Sequence, residues 1–323
     1  MKKNIFAFLS LVMIATSQAA VAEQNSIQKN LNSELAFTSK NRPINTSELT
    51  CSSASTAKKY PDLYQFDIKS SGREIDADWG YNNDWGWWVF DGDVPQVRSC
   101  MKKDGTGWYF DLAKKYLNNA PTAWVSPTLI AGDAGWNHYG NKWSNTKDFP
   151  VRVKNIESLS VNVAYDYQFS GVGNTNITLN FQDKSVPLSS ASKGPMETEV
   201  MIWLRHNVLV AERNDPNFYK APGSKTNRFS VNGKSWFGYM RPPEAMGEKY
   251  DFNVVEIHVP RSSSKQTGHL EFNLDLTPLI GKLVEAGWIE AGDILFGLEF
   301  KNEIWFGTGI MDIQRFTYDL SKQ

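Results

Sequence analysis

From Met196 to Leu204 the chain alternates side chains of two kinds. Successive side chains of a β-strand point to opposite faces. Val200, Ile202 and Leu204 therefore form an aliphatic face, and Glu199, Met201 and Trp203 share the other. The same parity in Val161–Phe169 puts Val161, Val163, Tyr165, Tyr167 and Phe169 on one side, with Asn162, Ala164, Asp166 and Gln168 opposite. In Ile294–Trp305 the apolar face is Ile294, Phe296, Leu298 and Phe300, and Glu299, Lys301, Glu303 and Trp305 lie on the reverse. Three predicted strands thus each carry an acid opposite an apolar face.

Short alternating segments bounded by Gly, Pro, Asn, Asp and Ser dominate the chain beyond Cys51. They are Ser158–Phe169, Ile177–Phe181, Glu199–Leu204, Val254–Val259, His269–Leu274, Ile294–Phe300 and Ile310–Tyr318, which is an all-β pattern. One helix is predicted over Pro278–Ala286, with Thr277 as N-cap, Pro278 at the first helical position and Gly287 as the stop. Leu279, Ile280, Leu283 and Val284 give it an apolar stripe that packs outside a sheet. There is no internal repeat and no Gly-rich phosphate loop between a strand and a helix. Many strands and one short helix predict a two-sheet β-jelly-roll sandwich with an open cleft.

The N-terminus changes the domain boundaries. Lys2 and Lys3, the apolar run Ile5–Ala15 and the small residues ending at Ala22 form a secretory signal pattern over 1–22. The polar stretch 23–50 reads as a flexible leader, which leaves 51–323, about 270 residues, as one catalytic-size domain. Without the signal, 32 basic residues face 35 acidic ones, so the chain offers no basic field for nucleic acid or anionic lipid. The expected protein is exported, monomeric and partnered by a neutral ligand. Cys51 and Cys100, the only cysteines, are an even pair in an exported chain and are expected to form a disulfide.

Acids on the solvated face of an antiparallel sheet are ordinarily just surface residues. Here Met201, Trp203 and Trp305 share their faces, and large apolar side chains cluster on an open face mainly where something binds. Two carboxylates across such a cleft are the apparatus of glycoside hydrolysis, one attacking and the other protonating the leaving oxygen. A third nearby acid would share or steer a proton. Parity leaves both Glu299 and Glu303 open as the second carboxylate. The histidines, His138, His206, His258 and His269, lack paired ligand spacing, so no metal or other cofactor is expected. No Gly-x-Ser-x-Gly elbow is present.

Glu199-Val200-Met201-Ile202-Trp203 resembles the nucleophile strand of glycoside hydrolase family 12, the jelly-roll endoglucanases, and Ala164-Tyr165-Asp166 resembles the strand before it. Asn82-Asn83-Asp84-Trp85-Gly86 is similar to that family's Asn-Asn-x-Trp-Gly signature, which Cys51 and Cys100 flank like its disulfide. Glu303-Ile304-Trp305 with Gly307-Thr308-Gly309 is similar to the acid/base segment, though the family usually has Pro at the position of Ile304.

The resemblance implies Glu199 as nucleophile, Glu303 as general acid/base and Asp166 as a neighbour hydrogen-bonded to the nucleophile. It further implies Asn83 and Trp85 in a sugar subsite, with Met201, Trp203 and Trp305 lining the cleft. The activity implied is that of a retaining endo-β-1,4-glucanase on cellulose-type or mixed-linkage β-glucan. Xyloglucan is the alternative substrate, because segments before Trp143 and before Glu199 look enlarged and loops decide whether branched chains enter. A non-catalytic carbohydrate-binding jelly roll and a transglycosylase are the rival functions.

Overall fold

Two strands of unusual length organise the molecule. The computed structural model describes residues 147–191, 196–206, 223–246, 251–263 and 267–323, together with short strand segments upstream. Upstream lie β1 (Thr38–Ser39), β2 (Arg42–Pro43), β3 (Leu49–Ser52), β4 (Glu74–Ile75), β5 (Asp78–Asn82), β6 (Arg98–Lys102), β7 (Gly107–Leu112) and β8 (Ser126–Gly132). Then come β9 (Val151–Arg152), β10 (Ile156–Gln182), β11 (Thr198–His206), β12 (Lys225–Val231) and β13 (Lys234–Arg241). The last are β14 (Asn253–Ser263), β15 (Thr267–Asp275) and β16 (Ile294–Lys322). Two α-helices are described, α1 (Pro243–Met246) and α2 (Thr277–Glu285).

Contacts divide the chain into Met1–Leu49 and Thr50–Gln323. In the first unit, within the stretch expected to be a bare leader, β1 pairs with β2. The expected signal segment 1–22 lies outside the described residues.

In the second unit β10 and β16 run antiparallel along almost their whole lengths, from Ile156↔Lys322 to Gln182↔Ile294. Each serves two sheets. The first half of β10 pairs with β15 and its second half with β11, while β16 pairs with β8 through Gly297–Lys301 and with β7 through Gly307–Asp312. One sheet therefore runs β12-β13-β14-β11-β10-β16-β8-β5 and the other β15-β10-β16-β7-β6-β3, a two-sheet β-jelly roll. The predicted segments Ser158–Phe169 and Ile177–Phe181 are one strand, as are Ile294–Phe300 and Ile310–Tyr318. Gly171 of β10 faces Gly307 of β16, and the register shifts beside them at Val172/Gly173. Glycines and a bulge bend a strand without ending it.

The apolar faces found by parity meet in the main core. It contains Val161, Val163, Tyr165, Tyr167 and Phe169 of β10, Val200, Ile202 and Leu204 of β11, and Leu298 and Phe300 of β16. Ile294 and Phe296 do not join it, contrary to the sequence pattern. A register shift at Asn180/Phe181, opposite Gly297/Leu295, gives β16 an extra residue there. One extra residue moves every preceding side chain to the other face. Leu295 enters the main core instead, and Ile294 and Phe296 join Met201, Trp203, Phe252 and Val254 in a second cluster.

Helix α2 buries Leu279, Ile280 and Leu283 against the main core. Thr277 is its first residue rather than a side-chain cap: its Oγ1 accepts the Leu159 N–H at 2.9 Å, tying the helix to β10. Gly287, at φ +65°, lets the chain turn back so that the Trp288 N–H reaches the Leu283 carbonyl at 2.9 Å. Among the described residues no helix is long and apolar enough to cross a membrane.

Candidate active site

Three adjacent strands, β11, β10 and β16, assemble the site. Glu199 stands opposite Asn180 of β10, and β10 in turn places Asn174 opposite Glu303 and Asn176 opposite Lys301 of β16. All these side chains point away from the main core. Lys301 spans β10: its Nζ donates to Glu199 Oε1 and lies 3.9 Å from Glu303 Oε1. The lysine and Glu199 are almost fully enclosed, and Glu303 is 12 % exposed. The Oε1 atoms of Glu199 and Glu303 are thus within about 7 Å of one another, a charge-assisted hydrogen bond plus that 3.9 Å.

Polar side chains of β10 orient the second carboxylate. Thr178 Oγ1 donates to Asn176 Oδ1 at 2.6 Å, Asn176 Nδ2 donates to Asn174 Oδ1 at 2.7 Å, and Asn174 Nδ2 donates to Glu303 Oε2 at 2.7 Å. The relay commits the Asn174 amide to presenting its N–H to Glu303.

Electrostatics separate the groups. Burial pushes the Glu303 carboxyl up to about 7, and Glu199 adds to the rise, while the Lys301 ammonium and the Asn174 hydrogen bond oppose it. Burial alone would lower the Lys301 pKa, but Glu199, Glu299 and Glu303 outweigh it and hold the ammonium well above its ordinary range. Glu256 of β14, opposite Met201, is ion-paired with Arg241 of β13. Burial raises its pKa, and Glu199 contributes to the rise. Glu299 accepts from Asn180 Nδ2 at 2.5 Å.

The structure sorts the sequence candidates. Glu199 and Glu303 come together, joined by Lys301, to which the sequence pattern gave a face but no role. Asp166 is corrected: it does not neighbour Glu199. It lies on the half of β10 that pairs with β15, opposite His269, where its Oδ1 is 2.9 Å from His269 Nδ1 and its Oδ2 accepts from Gln314 Nε2 at 3.3 Å. The position beside Glu199 belongs to Asn180 because β10 continues well past the Ala164-Tyr165-Asp166 motif.

Met201 and Trp203 share the Glu199 face but are buried, Trp203 packing 4.7 Å from the His258 ring and 5.5 Å from that of His206. Burial, with His206 adding to it, pushes the His258 pKa down to about 3. Asn83, Trp85 and the Trp305 side chain lie outside the described residues. Cys51 and Cys100 belong to the neighbouring strands β3 and β6, and the expected bond between their side chains lies outside the described residues as well. Glu256 and Arg241 were missed. Parity in Val254–Val259, which opposes Glu256 and His258 to Val255 and Ile257, carries the signal for Glu256.

The sequence matches no family model and no curated protein. Solved structures do match the fold. A family 12 xyloglucanase from Bacillus licheniformis is 18% identical with a TM-score of 0.57, over 84% of this chain and 100% of that one. An endoglucanase from Rhodothermus marinus is 17% identical with a TM-score of 0.56, over 85% and 99%. A metagenome-derived family 12 endoglucanase is 19% identical with a TM-score of 0.55, over 85% and 98%. The chain has the jelly-roll fold of the family 12 glycoside hydrolases.

Proposed function

We propose that the chain is a retaining endo-β-1,4-glucanase that hydrolyses internal bonds of unbranched β-glucan. Glu199 attacks the anomeric carbon while Glu303, holding a proton, delivers it to the departing glycosidic oxygen. Glu303 then takes a proton from the water that releases the glycosyl-enzyme. Lys301 neutralises Glu199 between turnovers and, as Glu303 gives up its proton, stabilises the carboxylate that forms.

One observation carries this reading: Lys301 joins two carboxylates within about 7 Å, of which Glu303 is pushed up to about 7. A general acid needs a pKa near the working pH. Retention requires about 5 to 5.5 Å between the carboxyls, a separation that lies inside this upper bound. Export through residues 1–22, a Cys51–Cys100 disulfide and action as a monomer belong to the same proposal.

Xyloglucan is the second reading, favoured by the xyloglucanase among the structures of like fold. Reducing-sugar release from carboxymethylcellulose, barley mixed-linkage glucan and tamarind xyloglucan, with Glu199→Gln as control, separates the possibilities. The expected result is activity on the unbranched glucans that the variant loses. Preference for xyloglucan moves the specificity, and inactivity on all three together with unchanged oligosaccharide binding by Glu199→Gln leaves a carbohydrate-binding protein.

A further inference from the structure

Beside the candidate active site, three acids meet where three strands of its sheet begin or end. Asp183 directly follows β10, Glu197 directly precedes β11, and Asp293 directly precedes β16. One carboxylate oxygen from each lies within 4.8 Å of the other two. Asp293 is 3 % exposed. Its Oδ2 accepts the Glu290 N–H at 2.6 Å, whereas Asp293 Oδ1 and Glu197 Oε2 are buried with no hydrogen-bond partner. Asp183 Oδ1 accepts the Ser185 N–H at 2.6 Å.

Among the described residues, the neighbouring cations Lys184 and Arg152 make their hydrogen bonds to other groups. Lys184 pairs with Glu290 at 2.5 Å. Arg152 donates through Nη1 to the carbonyls of Gly292 at 2.8 Å and Lys184 at 3.2 Å, and through Nη2 to that of Val186 at 3.4 Å. Asp293 and Asp183 oppose a charge on Glu197, and Asp183 shares a hydrogen bond with it. Burial, then Asp293 and Asp183, raises the Glu197 pKa to about 7, and burial raises that of Asp293. Two buried, unpartnered carboxylate oxygens, one from Glu197 and one from Asp293, converging beside a third carboxyl are costly unless a cation compensates them.

We propose that Asp183, Glu197 and Asp293 form a calcium site that ties the end of β10 to the starts of β11 and β16. All the protein ligands are carboxylate oxygens, the donors a hard cation takes. Calcium binds oxygen at about 2.3–2.6 Å, so its ligands stand at most about 5 Å apart, a limit these three oxygens, all within 4.8 Å of one another, satisfy. Magnesium, at about 2.0–2.1 Å, draws its ligands into a tighter octahedron. Two of the strands so tied carry Glu199 and Glu303, so the ion would fix the ends of the sheet that positions them. Histidine spacing cannot reveal this site, because no histidine takes part.

The test is calorimetric titration of chelator-treated full-length protein with calcium chloride, and separately with magnesium chloride, alongside thermal unfolding in each. Calcium should bind with a dissociation constant of about 1 mM or tighter. At about a hundredfold excess over that constant it should raise the unfolding midpoint by about 5 °C or more. Asp293→Asn should abolish both responses, and Glu290→Gln, which breaks the Lys184 ion pair but leaves the three acids in place, should keep them. The competing outcome is a proton shared among the acids. In that case stability changes through about pH 7 with no binding heat and no calcium-dependent shift, and the proposal is overturned. If Asp293→Asn does not fold, the wild-type titration decides alone. The readouts do not use glucan hydrolysis, so this proposal and the glucanase reading fail separately.

Discussion

Asn174 and Glu303 face each other across β10 and β16, and the amide Nδ2 of the first donates to Oε2 of the second at 2.7 Å. The other oxygen of Glu303 looks toward Lys301 at 3.9 Å. The two edges of one carboxyl thus have unlike partners, a neutral donor and an ammonium. A proton on Glu303 therefore belongs on Oε1, the edge nearer Lys301 and Glu199, since Oε2 is already accepting a hydrogen bond.

Removing the amide should loosen this carboxyl without removing it. Asn174→Ala is expected to lower kcat/KM about tenfold, the rate equivalent of a hydrogen bond to a charged group. Because the Asn174 bond lowers the Glu303 pKa, its loss should also move the alkaline limb of the pH profile upward. An unchanged limb with reduced activity would point to misfolding instead, which far-UV circular dichroism would detect.

The acid itself should leave a clearer mark. Glu303→Gln should reduce kcat on polysaccharide by about 10²- to 10⁴-fold. On an aryl glycoside whose leaving group needs no proton, glycosylation should be spared. In the wild type, activity should fall as the pH rises through about 7, where Glu303 loses its proton. Lys301→Met removes a charge that lowers this pKa, so the surviving activity should extend to higher pH. Initial rates across buffers of constant ionic strength measure each case.

Stability follows the same proton with a definite sign. The Glu303 pKa is raised on folding, so between the ordinary glutamate value and about 7 the native state holds more protons than the unfolded state. Stability should therefore fall as the pH rises through that window and change little from Glu303 above it. Urea unfolding at a series of pH values should show the decline, and Glu303→Gln should flatten part of it.

Asp166 offers a test of the corrected geometry. Asp166→Asn keeps the shape and can still bond Gln314 and His269, so kcat should change by less than about threefold. A loss of the size expected for Glu199→Gln would restore Asp166 to the chemistry and contradict the register that places it opposite β15.

On the core side of β16, Phe300 packs 5.4 Å from the Tyr165 ring and 5.7 Å from that of Phe316. Phe300→Ala should cost about 3 to 5 kcal/mol of stability by opening a cavity. Chemical denaturation would show a lower midpoint, and activity per folded molecule should drop too, since Glu299 and Lys301 flank the cavity.

Alternation alone revealed the faces of β10 and β11, because a half-buried strand must segregate its side chains. It failed for Ile294 and Phe296, where one extra residue in β16 reverses the parity and leaves no mark in composition. The hairpin of β12 and β13 was also missed, although Asn232-Gly233 joins its strands with both residues at positive φ, the pairing favoured in a two-residue turn. Asp166 misled for a related reason. A motif fixes which residues are adjacent in sequence, whereas the partner of Glu199 depends on how far β10 runs before the chain turns back. Lys301 was visible as a charge on a face, but its pairings join distant segments that a single strand pattern cannot connect.

Because β10 and β16 each pass through both sheets and pair along nearly their entire lengths, neither sheet can open without unzipping the shared ladder. The layer that carries Glu199 and Glu303 and the layer behind it should melt as one cooperative unit. Amide protons at the middle of this ladder should exchange only through global unfolding, so the most slowly exchanging part of the molecule would lie directly beneath its chemistry.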